Sequence, residues 1–200
     1  MMKPNNKINS LKEEKRWKKM IFFTSDKHFG HSNILKHTRR PFTSTKEMDA
    51  VLIRNWNTKV HRNDIVYILG DMFFRNSVPV EEYLHQLKGI KHLIIGNHDK
   101  DWMKRTNLFD HFISIQFMTE INDGSHKITL CHYPMMSWNG CNKGTFHIHG
   151  HIHNNRNDSY WPMLRQMPYA LNAGVDINGF APDTFNELVK NNRNFKESYG

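Results

Sequence analysis

Cysteine is nearly absent: Cys131 and Cys141 are the only two in 200 residues. Two thiols are too few for a disulfide framework, and no partner residues stand at zinc-finger spacing. They read as reduced thiols, which suits the cytoplasm. No run of 18 or more apolar residues occurs, so no segment has the length of a membrane-spanning helix. The charged N-terminus lacks the apolar core of a secretory signal, and a cytoplasmic location without a membrane partner is expected. There is no internal repeat, no linker, and none of the Arg–aromatic interleaving that stacks bases. Acidic residues fall short by a net +9, but unevenly. Residues 1–20 hold seven Lys or Arg and two Glu, so +5 sits there and +4 is spread over the remaining 180. Such a cluster either attracts polyanions or solubilises a tail. The first option keeps a nuclease or nucleic-acid end-processing activity as the alternative function.

What remains suffices for one domain. With 38% hydrophobic residues, a chain of this length buries about 70% of its unfolded surface. Residues 1–19 are polar and Lys-rich and are expected to form a basic, flexible extension. Met20–Thr24, Ile65–Leu69 and Lys91–Ile95 read as buried strands, each running into Gly or polar residues. His31–His37 predicts a short helix, Thr45 to about Val60 a long one capped by Thr45, and Pro79–Leu87 another. Alternation predicts a strand over Phe112–Met118, and Asn122-Asp123-Gly124 a hairpin turn into Lys127–Cys131. Thr145–His149 and Tyr169–Ala173 read as strands and Pro182–Lys190 as the last helix. Helices alternate with the early strands while later strands follow one another, which predicts a layered α/β domain with mixed sheets.

The strand ends carry the chemistry. The first leads into Asp26-Lys27-His28, the second into Gly70-Asp71, and the third into Gly96-Asn97-His98-Asp99. His132 follows Ile128–Cys131, and Gly150-His151-Ile152-His153 follows Phe146–His149. Ligands of open α/β sheets gather at the carboxyl ends of strands. Spacing of two places both side chains of Asp26/His28 and of His151/His153 on one face of an extended segment. Carboxylate and imidazole without thiolate suit manganese, iron, zinc or nickel, and Asp71 has two oxygens with which to bridge two ions. The other histidines (His37, His61, His85, His92, His111, His126) read as structural or solvated, and His147 and His149 as strand residues.

The ordered set Asp26-x-His28, Gly70-Asp71, Gly96-Asn97-His98-Asp99, His132 and Gly150-His151-x-His153 resembles the calcineurin-like metallophosphoesterase superfamily. It spans about Met20 to Asp176. Phe22–Asn33 and Arg40-Pro41-Phe42 are similar to a compact bacterial and phage branch. The resemblance implies a four-layer α-β-β-α sandwich over residues 20–200. It also implies a binuclear phosphoesterase, with a phosphodiester favoured, acting through hydroxide held between two divalent transition-metal ions, manganese first. Asp26, His28 and His153 would hold one ion, Asn97, His132 and His151 the other, and Asp71 would bridge them. His98 would be the general acid, oriented by Asp99. His31, Asn33, Arg40 and Arg75 are candidate substrate contacts, with Arg39 and Lys27 as further phosphate candidates. The phosphoester would be a small or exposed one, a nucleotide or nucleic acid among the candidates. A scaffold that had lost catalysis should lack ligands, and this sequence lacks none. Two departures stand out: Lys27 occupies a spacer that is more often small or apolar, and alternation turns it away from the ligands. The loop Met72-Phe73-Phe74-Arg75 lacks the later glycine or acid.

Overall fold

Nine strands and six α-helices make up the described residues, 19–74 and 79–198, of this computed structural model. Arg75 and, Lys19 apart, the basic extension lie outside them. In chain order the strands are β1 (Ile21–Thr24), β2 (Ile65–Leu69), β3 (Ile90–Ile94), β4 (Phe112–Gln116) and β5 (Met118–Asn122). They continue with β6 (Lys127–Cys131), β7 (Phe146–His149), β8 (Ala170–Asn172) and β9 (Asp183–Thr184). One sheet has the order β4-β3-β2-β1-β9, parallel except for β9. The other has the order β5-β6-β7-β8, parallel except for β5. Both sheets are therefore mixed, as the element order predicts.

Alternation along the strands explains the packing. Phe22, Val66, Ile68 and Leu93 turn to one side of the first sheet. There they bury against Ile34 of α1 (Ser32–His37), Met48, Leu52 and Trp56 of α2 (Thr45–Lys59), and Val80 and Leu84 of α3 (Val80–Leu84). Phe23, Leu69 and Ile94 turn the other way and meet Ile128, Leu130, Ile148 and Leu171 of the second sheet. The sheets thus share one apolar core. No helix among the described residues is long and apolar enough to cross a membrane.

Three expectations change. The predicted strand Phe112–Met118 is two strands in two sheets. The chain leaves the first sheet at Gln116, passes the exposed Phe117, and enters the second at Met118. Alternation runs unbroken through both, so periodicity alone hides the crossing. The long helix is capped by Ser44, whose Oγ accepts from the Glu47 amide at 3.2 Å, and not by Thr45. The last helix, α6, runs Phe185–Glu197 and not Pro182–Lys190. Asp183-Thr184 pair with β1, and Thr184 with Glu187 forms a capping box that starts the helix there. Two further short helices, α4 (Lys100–Met103) and α5 (Trp161–Leu164), follow the site loops.

The sheets are stitched together at their carboxyl ends. Ser25, just past β1, forms a parallel bridge with Gly174, just past β8. Its amide donates to the Ala173 carbonyl at 2.9 Å, and its carbonyl accepts from Val175 at 3.2 Å. This stitch brings the loops after β1, β2, β3, β6 and β7 to one end of the molecule.

Candidate metal centre

The loops after β1 and β2 run side by side. Amides of Asp26, His28 and Phe29 donate to the carbonyls of Gly70, Asp71 and Met72 at 2.8–3.0 Å. To turn their side chains toward one point, Asp26, His28 and Asp71 adopt φ of 56°, 50° and 54°, and His151 and His153 adopt 72° and 51°. Among the described residues seven non-glycine positions lie in this left-handed region, and five of them are these candidate ligands. Such backbones cost on the order of 1–3 kcal/mol each and persist where the surroundings over-determine them, most often at functional sites. Two glycines allow the approach: a Cβ on Gly96 would collide with the Asp71 carboxylate, and one on Gly150 with Ser25 and Asp26.

Two groups of ligand atoms result. Asp26, His28 and His153 each bring one ligand atom within 4.8 Å of the others, and so do Asp26, Asp71 and His132. Asn97 Oδ1 lies 3.0 Å from both His132 Nε2 and His151 Nδ1. Asp71 Oδ2 faces both sides, 3.8 Å from His28 Nε2 and 3.5 Å from His132 Nε2. Those separations exceed hydrogen-bond length. They approach the ~3–3.5 Å between neighbouring ligand atoms around an ion bonded at about 2.0–2.2 Å. His28 is buried, and neither of its ring nitrogens has a hydrogen-bond partner, which is costly for polar atoms cut off from water. A cation coordinated by one of those nitrogens would remove that nitrogen's share of the cost, and with the two ligand groups above the residues fit a metal pair.

Charge points the same way. Burial raises the Asp26 carboxyl, against the pull of His153 and His132. Burial would also raise Asp71, but His132, the His98 amide and His28 outweigh it and hold it at about 2. Burial would lower His132, yet Asp71 and Asp26 push it up to about 9. His28, by contrast, is driven down by burial and then by His153. Two buried carboxylates thus set up a field that draws positive charge into a nest of imidazoles.

The sequence left Asp176 out. Its Oδ2 lies 2.8 Å from His153 Nδ1, and its two oxygens accept from Arg40 Nε at 2.8 Å and Nη2 at 3.1 Å. Burial would raise this carboxyl, but His153 and Arg40 hold it well below the usual range. A carboxylate on Nδ1 leaves Nε2 free as the ligand atom, a common outer-shell arrangement. The expected place of Arg40 is therefore corrected. It is buried, 5% exposed, and its Nη atoms also donate to the carbonyls of Lys27 and Asp26 at 2.8 and 2.7 Å. It braces the ligand loop from beneath and has no free edge for a substrate.

Asp99 is corrected as well. Its carboxylate accepts from the amides of Asp71 (2.9 Å), Met72 (3.1 Å) and Gly96 (2.7 Å) and from Trp102 Nε1 (2.8 Å). Four donors are satisfied and the group is fully buried, so it ties two ligand loops together and does not orient the His98 ring. Asp99→Asn should destabilise the fold by about 2–4 kcal/mol, since charge-assisted hydrogen bonds contribute about 1.5–3 kcal/mol each. Urea unfolding of the metal-stripped protein checks this; an unchanged midpoint would remove the tie.

His98 itself stands at the rim. Its amide donates to Asp71 Oδ1 at 2.9 Å, and its ring, 38% exposed, packs edge-on to Phe74. His31 lies against Phe74 and His28, and burial followed by the charge of His98 pushes it down to about 4. Asn33 and Arg39 are exposed. Phe73 and Trp138 belong to the apolar cores. His147 and His149 are buried in β7 and bonded to backbone carbonyls of Thr129, Tyr133 and Gly150.

Lys27, turned away from the ligands as alternation predicts, is fully buried, with Nζ 5.2 Å from the Trp56 ring centroid and no hydrogen-bond partner. Burial and then Arg40 push it down to about 7. An unfolded lysine titrates near 10.4. Between about pH 7 and 10 the unfolded chain therefore holds a proton that the folded chain has released, and stability rises with pH. Below pH 7 both states are charged and the cost of burying the ammonium is complete. Lys27→Met should raise the free energy of unfolding at pH 6.5 by about 1–4 kcal/mol, and flatten the rise toward pH 10. Parallel unfolding curves for the two proteins at pH 6.5 and 9.5 decide it.

Comparison with known proteins adds relatives. Over 172 residues the chain is 35% identical to the uncharacterized protein MJ1445 of Methanocaldococcus jannaschii, covering 85% of this chain and 89% of that one. This chain belongs to the MJ1445 family. The gene 66 protein of Mycobacterium phage L5 is 30% identical over 162 residues, 66% of this chain and 76% of its own. Among solved structures, the Aquifex aeolicus protein of unknown function AQ665 is similar at a TM-score of 0.67 and 29% identity, over 86% of this chain and 99% of that one. No family profile matches the chain. None of these three names states an activity.

Proposed function

We propose that the protein is a binuclear metal-dependent phosphoesterase, with phosphodiesters as its preferred substrates. The observation that carries this is the position of Asp71, one carboxylate facing His28 of one ligand group and His132 of the other. Asp26, His28 and His153 would hold one ion, and Asn97, His132 and His151 the second, with Asp71 shared. When bound, two divalent transition-metal ions, manganese first, would neutralise phosphoryl oxygens and lower the pKa of water. The chain's own contribution is positional and acid–base. Asp176, braced by Arg40, sets the His153 ring so that Nε2 faces the site. Asp99 holds the loops bearing Asp71 and Asn97 at fixed separation. His98, the exposed ring of the cluster, donates a proton to the departing oxygen, which matters most for the poor alkoxide of a diester. Two mixed sheets over a common core, with α1 to α3 outside the first, supply three layers of the four-layer metallophosphoesterase-like sandwich.

The test uses metal-stripped protein titrated with Mn2+ by calorimetry, followed by hydrolysis assays on bis(p-nitrophenyl) phosphate and p-nitrophenyl phosphate. Two equivalents bound and faster diester turnover are expected. Failure to bind two ions, or a loaded protein inert to both esters, refutes the reading.

A further inference from the structure

One cleft shares a wall, His151, with the candidate centre and is left unused by the mechanism above. The loop after β6 supplies Tyr133, Met135 and Met136, and the segment around α5 supplies Tyr160 and Met167. His151 forms the shared wall. The cleft encloses about 280 Å³, close to the lower end of the roughly 300–1,000 Å³ typical of small-molecule sites. That is room for one ring system and too little for an extended chain. No Asp, Glu, Lys or Arg lines it among the described residues, so it has nothing with which to pair a charged group. Beside His151 its lining is two tyrosines, three thioethers and the aliphatic Pro134, Ile152 and Leu164. Rings and sulfur atoms together favour a flat aromatic occupant over an aliphatic one.

Two details tie the cleft to the phosphoryl position. The His151 ring turns Nδ1 toward Asn97 on one side and meets the Tyr133 ring, centroids 4.8 Å apart, on the other. The Tyr133 ring also packs edge-on to His132 at 5.0 Å. One imidazole width therefore separates the ligand cluster from the cleft. Tyr133 and Met136 are 45% and 62% exposed; these are large apolar surfaces left open to water beside an otherwise polar centre. His98, the proton donor, packs instead against Phe74 and His28, so the departing oxygen belongs on that side and the cleft is left for the alcohol that stays on phosphorus.

We infer that this cleft binds an uncharged aromatic group, of nucleobase size, carried by the retained alcohol of the phosphodiester. The inference rests on the phosphoesterase reading and narrows its substrate class. The assay compares the manganese-loaded enzyme on p-nitrophenyl diesters that share one leaving group and differ in the retained alcohol: methyl, cyclohexylmethyl, benzyl and thymidine 5′. The benzyl and thymidine esters should show kcat/KM at least tenfold above the methyl ester, mainly through KM, with the cyclohexylmethyl ester well below benzyl. Met136→Ala and Met167→Ala, with unfolding midpoints checked, should bring the benzyl-to-methyl ratio close to one. Equal rates on methyl and benzyl esters would overturn the cleft assignment and leave the hydrolase standing. Equal rates on cyclohexylmethyl and benzyl esters would overturn its aromatic character. Absence of hydrolysis of every ester by a protein holding two ions overturns the phosphoesterase reading, and this inference with it.

Discussion

Asp71→Asn should abolish the second metal equivalent and lower kcat/KM by about 10³-fold. The substitution isolates charge. Asparagine keeps an oxygen for the His98 amide, now at 2.9 Å from Asp71 Oδ1. It also tolerates the left-handed backbone at φ 54°. What it removes is one anion facing both ligand groups, together with part of the field that pushes His132 up to about 9. Several kcal/mol of transition-state stabilisation from a metal pair corresponds, at about 1.4 kcal/mol per decade, to the stated loss. The metal-stripped variant should be less stable than the parent at neutral pH, because a carboxyl held at about 2 by its imidazole and amide neighbours contributes stability there that asparagine does not. The thermal stabilisation on adding Mn2+ should shrink in parallel with stoichiometry. A variant that still takes up two ions and turns over at the parental rate would sink the bridging role.

His98→Ala should leave metal content intact and slow hydrolysis by about 10²–10⁴-fold, the usual contribution of a positioned general acid. The ring belongs to neither ligand group; its Nε2 lies 3.9 Å from Asp71 Oδ2, beyond hydrogen-bond length, and the hydrogen bond to Asp71 Oδ1 comes from the backbone amide, which alanine retains. The informative quantity is the dependence on leaving group. A nitrophenolate departs without help and an alkoxide does not, so the variant should suffer most on dialkyl esters and least on nitrophenyl ones. Equal slowing on both would assign His98 to binding and not to proton donation.

Much of the architecture could be read from the chain because its signals are local. β2 has the predicted bounds, β1 and β3 differ by a residue, and the Asn122–Lys127 hairpin forms as expected. The same holds for the candidate ligands, which sit at strand ends where carboxylates and imidazoles stand out against apolar runs. What escaped is non-local. Arg40 and Asp176 are 136 residues apart, and each alone looks like surface charge. The resemblance implies that Asp99 orients His98, while its four donors come from three loop amides and an indole. The start of the last helix is legible in the sequence, since Thr184 and Glu187 have capping-box spacing. The far end is not, because the buried stripe there includes Asn192, a polar residue whose amide bonds to the Asn172 carbonyl.

The left-handed backbone at five candidate ligand positions has a consequence for how this centre could change over time. Aspartate and histidine, with asparagine, are the non-glycine residues that visit that conformation most readily, and they are also hard or borderline donors. Coordination chemistry and chain geometry therefore screen the same few amino acids twice. Glutamate or cysteine, acceptable to many metals, would be penalised here by the main chain before any ion arrived. Drift at these positions is thereby narrowed, and a switch of metal preference would have to come from the surrounding braces such as Asp176 and Arg40.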